Sequence, residues 1–379
     1  MIDIVSLYDE LSPLGISEQQ LHLSKLKEID LVQANELEKM LQVDDVKISG
    51  TEFLAQQITE VTFTSWQSFI GQEVMDFTIK SLLSNSGGMG FVFHAEQNIF
   101  SPSHTENESH KAAIKILRSD KLNTEQQKVM FFSEASNLMS LDHPNICSLY
   151  GVSEVLDHAC IVMDYIDGQS LELWLENNKT TQKQKLNVFI QLLNAVSYLH
   201  DLQTYHGDLK PQNIIINEQG HLVLIDLGLT NIFKQPETDD NSATVKAFSK
   251  NWSAPEQITG SPCKAMSDVY SLGAILYYLL SNKLLTDNSP NQASASYTTD
   301  KELNAVLSKA LAITPQSRYQ DANKLRLALQ KYQQGFSIDE YSTNPIYQLK
   351  KLIARKPFTS MACVLMLYSV ASSVMLFVK

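Results

Sequence analysis

The feature of this 379-residue chain that most constrains its fold is a short polar loop at residues 205–213, reading Tyr-His-Gly-Asp-Leu-Lys-Pro-Gln-Asn. Two apolar stretches, 214–216 and 222–225, follow it before a further acid, Asp226. Asp208, Lys210, Asn213 and Asp226 supply a base, a cation and oxygen ligands for a metal ion. Phosphoryl transfer requires these three kinds of group. Each residue alone would be an ordinary surface group, so the ordered set carries the inference.

Charge and cysteine content exclude several other classes of protein. The formal net charge of −12 disfavours nucleic-acid binding, which requires a basic surface, so no nucleic-acid partner is expected. The apolar content is high enough to form a core, which argues against a disordered chain. The four cysteines lie far apart, without metal-ligand spacing, and are expected to be reduced thiols.

An uncharged apolar segment occupies residues 357–378. As a helix, its 22 residues would extend roughly 33 Å, about the thickness of the bilayer hydrocarbon. Four basic residues precede the segment, namely Lys350, Lys351, Arg355 and Lys356. The pattern predicts a single-pass transmembrane helix in the cytoplasmic membrane, with the main body of the chain facing the cytoplasm. A buried core helix is the alternative.

The order of predicted elements indicates an α+β architecture with two lobes. Residues 1–70 have helical periodicity and are expected to form an extension that packs on the next domain or binds a partner. Strand-like runs follow at 76–83, 91–95 and 112–117, with a loop expected over 96–110, and further short strands at 161–164, 214–216 and 222–225. Helical patterns dominate from residue 126 to 329, and residues 336–356 resemble a basic linker.

A glycine-rich turn connects the first two strand-like runs. Its sequence, Ser86-Gly87-Gly88-Met89-Gly90, allows close approach of the backbone to a phosphate, although hairpin turns use the same residues. Lys115 lies within the third run, where a buried ammonium needs a partner. Glu134, on the helical segment 126–141, is a candidate partner, although a solvated helix face explains this acid equally well.

Taken together, these motifs resemble a bacterial-type Ser/Thr protein kinase over residues 71–335. In chain order the resemblance rests on the glycine turn, Lys115, Glu134, His143-Pro144-Asn145-Ile146, the loop at 205–213, Asp226-Leu227-Gly228, Ala254-Pro255-Glu256, the segment Ser267–Gly273 and Arg318. It implies a two-lobed kinase fold, with a β-rich first lobe and a helical second lobe.

The resemblance also implies roles for single residues. ATP and Mg²⁺, with Mn²⁺ as an alternative, would be the cofactors, and proteins the substrates. Asp208 and Lys210 would be catalytic, with Asn213 and Asp226 as metal ligands. The ATP-binding set would be Asn85, Gly87, Gly88, Gly90, Val92, Ala113, Lys115, Glu134, Asp164, Ile166 and Ile215, with Met163 beside the adenine. Glu256, Arg318 and Asp268 would have structural roles.

Three positions depart from the family pattern. Asn85 replaces the first loop glycine. This replacement is expected to have a mild effect, because asparagine adopts a left-handed backbone conformation more readily than most residues. Leu227 replaces the usual phenylalanine. Gly207 replaces the arginine that normally contacts a phosphorylated activation segment. Activity is therefore expected to depend little on phosphorylation between Thr230 and Ser249.

Two alternatives remain open at the sequence level. The His-Gly-Asp triplet also resembles small-molecule phosphotransferases of the aminoglycoside and choline kinase type, but those enzymes generally lack the Ala-Pro-Glu segment. A pseudokinase that binds nucleotide as a membrane scaffold is the second alternative, motivated by Asn85 and Gly207. The preferred prediction is a membrane-anchored Ser/Thr protein kinase that autophosphorylates. Its protein substrates, pathway, activating signal and oligomeric state stay open.

Overall fold

The computed structural model describes residues 66–84, 90–98, 109–117, 125–227, 251–285, 297–358, 362 and 365–366. The predicted helices within residues 1–65 lie outside these described residues. So does most of the predicted membrane segment, and no helix among the described residues combines the length and the apolar content needed to cross a bilayer.

The first lobe is a six-stranded antiparallel sheet with the strand order β1-β2-β3-β4-β6-β5. Its strands are β1 (Glu73–Val74), β2 (Phe77–Ser84), β3 (Gly90–Asn98), β4 (Ser109–Leu117), β5 (Leu149–Val155) and β6 (His158–Asp164). The core of this lobe includes four fully buried side chains of the sheet, those of Ile79, Phe93, Ile114 and Ile116. The four strands predicted here, at 76–83, 91–95, 112–117 and 161–164, are confirmed, whereas β1 and β5 were not predicted.

Two strands are longer than predicted. The loop expected over 96–110 is wrong at both ends, because β3 continues to Asn98 and β4 already begins at Ser109. These two strands pair in unbroken register from Gly90↔Leu117 to Asn98↔Ser109. Backbone pairing extends strands through polar residues, which a hydrophobic pattern does not reveal.

A short 3₁₀ helix at Trp66–Phe69 precedes the sheet. Phe69 has 0% exposure and packs against Phe93, with 5.8 Å between the ring centroids. The first-lobe core therefore includes a residue that the sequence analysis assigned to the N-terminal extension.

The second lobe is mainly helical. Helix α1 (Glu125–Met139) packs beside the first lobe. The helices of the second lobe are α2 (Leu171–Asn177), α3 (Gln182–Asp201), α4 (Pro255–Ile258), α5 (Ala265–Ser281), α6 (Lys301–Ala310), α7 (Ala322–Gln333) and α8 (Pro345–Arg355). A capping box formed by Thr181 and Gln184 begins α3. Helix α5 is apolar around most of its circumference and lies in the centre of the lobe, as such a helix must.

A three-stranded sheet lies in the second lobe, with the order β7 (Gln169–Ser170), β8 (Ile214–Ile216) and β9 (Leu222–Leu224). Strands β8 and β9 form a hairpin in which Ile214 pairs with Leu224. The open end of this hairpin carries the polar residues of the site.

The predicted linker over residues 336–356 contains helix α8, which begins at the cap residue Asn344 and contacts the second lobe. The sequence analysis did not predict this helix.

Candidate active site

The hairpin brings Asn213 and Asp226 to the same end of the second lobe. Asn213 immediately precedes β8, and Asp226 follows β9 by two residues. Since Ile214 is opposite Leu224, the next pair outward is Asn213 and Ile225, and the Ile225 N–H donates to the Asn213 carbonyl at 2.9 Å. Antiparallel pairing thus places together two oxygen-bearing side chains separated by twelve residues.

Asn213 also connects the hairpin to Asp208. Its amide Nδ2 donates to the Asp208 carbonyl at 3.0 Å, so Oδ1 is the atom left to accept a hydrogen bond or to bind a cation. The Lys210 Nζ donates to Asp208 Oδ2 at 2.8 Å. The structure therefore brings together the predicted base, the predicted phosphate-binding cation and one predicted metal ligand.

Lys115 contacts the site from the first lobe. It lies on β4 opposite Val92 of β3, is buried, and its Nζ is 2.5 Å from Asp226 Oδ1. Burial alone would raise the pKa of Asp226. The adjacent ammonium of Lys115, assisted by His206 and Lys210, outweighs burial and lowers this pKa. Asp226 is therefore a carboxylate at neutral pH.

The side chain of Glu134 lies outside what the structure describes, although its backbone is part of α1. The predicted Lys115–Glu134 ion pair stays a prediction. The described partner of Lys115 is Asp226, a partner that the sequence analysis did not predict.

Asp268, near the start of α5, holds the backbone of the predicted catalytic loop at residues 205–213. Its buried carboxylate accepts the N–H groups of His206 and Gly207, each at 2.9 Å. His200 Nε2 lies 3.0 Å away, and Ala322 N–H donates to the other ring nitrogen, which assigns the proton to Nε2. Burial alone would raise the pKa of Asp268, but these donors lower it. Asp268 therefore fixes the loop as a charged acceptor.

Gly207, at the position of the missing arginine, adopts a left-handed backbone with φ of 73°. Glycine takes this conformation without the steric cost that other residues incur. Its carbonyl accepts a hydrogen bond from Gln257 Nε2 at 3.0 Å, while Gln257 Oε1 accepts from the Ala254 N–H at 3.0 Å. Gln257, 3% exposed, thus connects the Ala-Pro-Glu segment to the catalytic loop.

Sequence reasoning did not identify Gln257. The available signal was its place directly after Ala-Pro-Glu, but a lone glutamine on a short helix does not indicate a buried contact.

Glu256 and Arg318 form the predicted ion pair, in which Arg318 is buried and Glu256 is half-buried. The contacts are bidentate, at 2.7 Å from Nη1 to Oε1 and 2.8 Å from Nη2 to Oε2. Arg318 also donates to three carbonyls, those of Ala312, Met266 and Ile313. Burial alone would raise the pKa of Glu256, and Arg318 reverses the effect and lowers it.

The predicted nucleotide-contacting residues divide into two groups. Asn85, Gly87 and Gly88 lie outside the described residues. The others are on the first-lobe sheet or close to its junction with the second lobe: Gly90 and Val92 on β3, Ala113 on β4, Asp164 and Ile166 at the end of β6, and Ile215 on β8. Among these, Ala113 pairs with Met163 across β4 and β6.

A steric restriction also requires glycine at position 90, besides the predicted contact with phosphate. Its φ is 155°, and a Cβ at this position would lie 1.9 Å from the Ile116 carbonyl oxygen. The close approach of β3 to β4 therefore excludes a side chain here.

The donor set fits a hard divalent cation. Asn213 offers an amide oxygen and Asp226 a carboxylate, and oxygen atoms are the ligands that Mg²⁺ prefers. Within the part of the chain that the structure describes, no cluster of three or more His, Cys, Asp or Glu side chains could hold a metal ion by itself.

Comparison with known proteins gives a consistent result. The profile of the family described as "Protein kinase domain" matches residues 96–357. The chain is 30% identical over 254 residues to the Ser/Thr-protein kinase PrkC of Bacillus subtilis, which covers 63% of this chain and 38% of PrkC. It is 29% identical over 242 residues to the Ser/Thr-protein kinase PknB of Mycobacterium tuberculosis, and the match covers 59% of this chain and 39% of PknB. The chain thus spans well under half of these relatives.

Solved structures show the same fold. The crystal structure of the Mycobacterium tuberculosis PknI kinase domain aligns with a TM-score of 0.53 at 20% identity, covering 69% of this chain and 98% of that one. Rad53 residues 1–466, crystallised in complex with AMP-PNP, align with a TM-score of 0.52 at 21% identity, covering 66% and 64%.

Proposed function

Since the chain belongs to the protein kinase domain family, we propose that it transfers the γ-phosphoryl group of ATP to Ser and Thr hydroxyls of proteins, its own included. The observation that carries the proposal is the convergence at one hairpin end of Asp208, Lys210, Asn213 and Asp226, which Lys115 contacts from the other lobe. We propose residues 71–335 as the kinase domain, extended to include Phe69, which packs in its core.

Asp208 and Lys210 act on the acceptor and on the moving phosphoryl group. Asp208 orients the acceptor hydroxyl and accepts its proton as the oxygen attacks phosphorus. Lys210, already 2.8 Å from Asp208, offsets charge on the γ-phosphoryl oxygens as the bond to the leaving β-phosphate oxygen breaks. The hydrogen bond from Asn213 and the anchor at Asp268 hold this loop in place before substrate arrives.

Lys115 and Asp226 act on the nucleotide side. When ATP binds, the Lys115 ammonium exchanges Asp226 for the α- and β-phosphates, and Glu134 takes over as its acidic partner. Asn213 and Asp226 would hold Mg²⁺, or Mn²⁺, which supplies charge neutralisation for the phosphate oxygens when bound. Asp226 suits this role because it is ionised at neutral pH.

The adenine ring would lie between the apolar side chains of Val92, Ala113 and Ile215. The backbone of Asp164 and Ile166, where β6 leaves the sheet, would supply its hydrogen bonds. Asn85, Gly87, Gly88 and Gly90 would cover the phosphates.

The alternative is a pseudokinase that binds nucleotide without transferring phosphate. Gly207 motivated this alternative, but its backbone contacts to Asp268 and Gln257 argue that the loop is held without an arginine. Retention of all four polar groups at the hairpin end also favours an enzyme.

The full-length chain in detergent, incubated with γ-labelled ATP, Mg²⁺ and a generic acceptor protein, tests the proposal. Acid hydrolysis of the labelled acceptor is expected to release phosphoserine and phosphothreonine, and chelation of the metal to abolish labelling. Label in free phosphate or a small alcohol but never in protein would contradict it.

A second part of the proposal concerns location. We propose that residues 357–378 anchor the chain in the cytoplasmic membrane with the kinase domain on the cytoplasmic side, supported by the uncharged composition of this segment and the basic residues before it. The Leu367→Arg/Val370→Arg variant places two charges in this segment and is expected to shift the chain from the membrane to the soluble fraction of cells. Unchanged fractionation would contradict the anchor.

A further inference from the structure

Helix α8 (Pro345–Arg355) presents its polar face to the protein and its apolar face to solvent. Tyr347, Lys351 and Arg355 are spaced four residues apart and therefore share one side of the helix. They are the half-buried residues of α8, and the rest of the helix is exposed. A helix that packs on a domain normally has the opposite arrangement.

Three contacts fix the rotation of α8 on the second lobe. The Tyr347 hydroxyl accepts the Ile338 N–H at 3.0 Å. Lys351 Nζ lies 2.6 Å from Glu302 Oε2 on α6. The Arg355 guanidinium carbon lies 3.6 Å from the centre of the Phe336 ring. The inward direction of these side chains means that the opposite side of the helix must face outward.

The outward side, which we term the outer face, consists of four large aliphatic side chains. Their exposed fractions are 75% for Ile346, 56% for Leu349, 46% for Leu352 and 46% for Ile353. Adjoining exposed aliphatic side chains of this kind mark an interaction surface more often than a simple solvent boundary.

The charges around the outer face select its partner. Residues 345–358 contain four basic residues and no Asp or Glu, and since Lys351 and Arg355 face the second lobe, Lys350 and Lys356 are the two beside the outer face. Lys350 follows Ile346 by four positions, and Lys356 follows Leu352 by four, so that cations border the aliphatic residues on the same side. Apolar side chains flanked by cations match a bilayer with anionic headgroups, where the former enter the acyl boundary and the latter meet the phosphates.

The chain that follows supports the same partner. The outer face leads within a few residues into the apolar segment 357–378, and Phe358, at the junction, is 82% exposed. A helix lying on the bilayer surface next to a segment that enters it would form one continuous contact with lipid.

We propose that the outer face of α8 lies in the headgroup boundary of an anionic bilayer, with the helix parallel to the surface. This inference extends the proposed membrane anchor. Because Lys351 and Arg355 hold α8 to the second lobe, the lipid contact gives the kinase domain a set orientation over the membrane, whereas a flexible linker would leave it free to rotate.

Tryptophan depth measurements test the proposal. The 379-residue chain carrying Ile353→Trp or Ala354→Trp is reconstituted in vesicles made of a mixture of anionic and zwitterionic lipids. The acyl chains are brominated, and the bromine atoms quench the fluorescence of a tryptophan that enters the bilayer. The two positions are adjacent along the axis but point about 100° apart, with only Ile353 on the outer face. The three native tryptophans contribute the same background to both variants. Quenching of the added signal is expected to be at least about twofold stronger for Ile353→Trp.

Flotation separates failure of this inference from failure of the anchor. Chains that float with vesicles but show equal quenching at both positions would overturn the lipid contact and leave the anchor intact. A tryptophan at position 353 that is shielded from water but not quenched by lipid would assign the outer face to a second copy or to residues 1–65. The Leu367→Arg/Val370→Arg variant isolates the contribution of the outer face. If this variant still floats on anionic vesicles, and the further substitution Leu349→Glu abolishes its flotation, then the outer face binds lipid without help from the anchor. Absence of flotation by the unmodified chain would overturn both.

Discussion

Lys115 Nζ lies 2.5 Å from Asp226 Oδ1, so that the cation from the first lobe and the acid from the second lobe neutralise one another directly. Each is predicted to bind a different part of Mg²⁺·ATP. The contact offsets both charges, and under the proposed function it would be exchanged for contacts to the phosphates and the metal ion when nucleotide binds.

Replacement of Lys115 tests this exchange. Lys115→Met removes the contact to the α- and β-phosphates and leaves a buried carboxylate without its cation, so we expect phosphoryl transfer to fall by at least about 100-fold. Lys111→Met, on an exposed position of the same strand, is the control and should retain activity. Equal transfer rates for the two variants would show that Lys115 does not bind the phosphates.

Gln257 is expected to position the catalytic loop. Gln257→Glu keeps the acceptor for the Ala254 N–H but loses the donor to the Gly207 carbonyl, so kcat should fall roughly five- to tenfold with little change in KM for ATP. Gln333→Glu, which alters an exposed hydrogen bond to Asn187, is the matched control. A fall in thermal stability alone, with kcat unchanged, would reduce Gln257 to a packing role.

With Gly207 in place of the family's arginine, we expect that activity does not require a phosphorylated activation segment, because this position offers no cation to pair with the phosphate. Thr238→Ala, Ser242→Ala and Thr244→Ala, in a segment outside the described residues, should each retain most of the transfer rate of the unmodified chain. Phosphatase treatment before the assay is the second readout. Loss of turnover in any of the three variants would contradict the prediction. Ser249 is left out of the test because the family resemblance implies that its position binds substrate.

The Glu256–Arg318 pair predicts a defined dependence of stability on pH. The pKa of Glu256 is lowered in the folded protein, so its contribution is fully present above the unfolded pKa of about 4.3 and is lost as pH falls through the lower folded value. The difference in Tm between the unmodified chain and Glu256→Gln should therefore be constant from pH 7 to pH 5 and shrink below about pH 4.3. A gap that does not change with pH would show that the charge of Glu256 contributes nothing.

Much of the site was predictable because its chemistry is compressed into one hairpin. Asn213 and Asp226 flank two short apolar strands, and antiparallel pairing alone brings them together. The anchor at Asp268 and the Glu256–Arg318 pair followed from the family resemblance rather than from any pattern in the residues.

Other features depend on tertiary packing that a local pattern does not encode. The contact of Lys115 with Asp226 is set by how the two lobes meet, so it could not be predicted from periodicity, and the contact with Glu134 stays a prediction. Gln257 is informative only because its buried amide meets a backbone carbonyl fifty residues away. Helix α8 was predicted as a linker, although its cap residue Asn344 and the helical spacing of its apolar residues were readable from the sequence. What the pattern does not encode is that the apolar side faces away from the domain.

The central claim, that Asp208 acts in phosphoryl transfer, is tested most directly by comparing Asp208→Asn with Asp201→Asn in the full-length chain. Both substitutions remove one carboxylate, but Asp201 lies exposed at the end of α3. With labelled ATP and Mg²⁺, we expect Asp208→Asn to lower the rate of protein labelling by about 100-fold or more, and Asp201→Asn to leave it unchanged. Equal labelling by both variants, or nucleotide binding without labelling by the unmodified chain, would contradict the account and favour a nucleotide-binding scaffold.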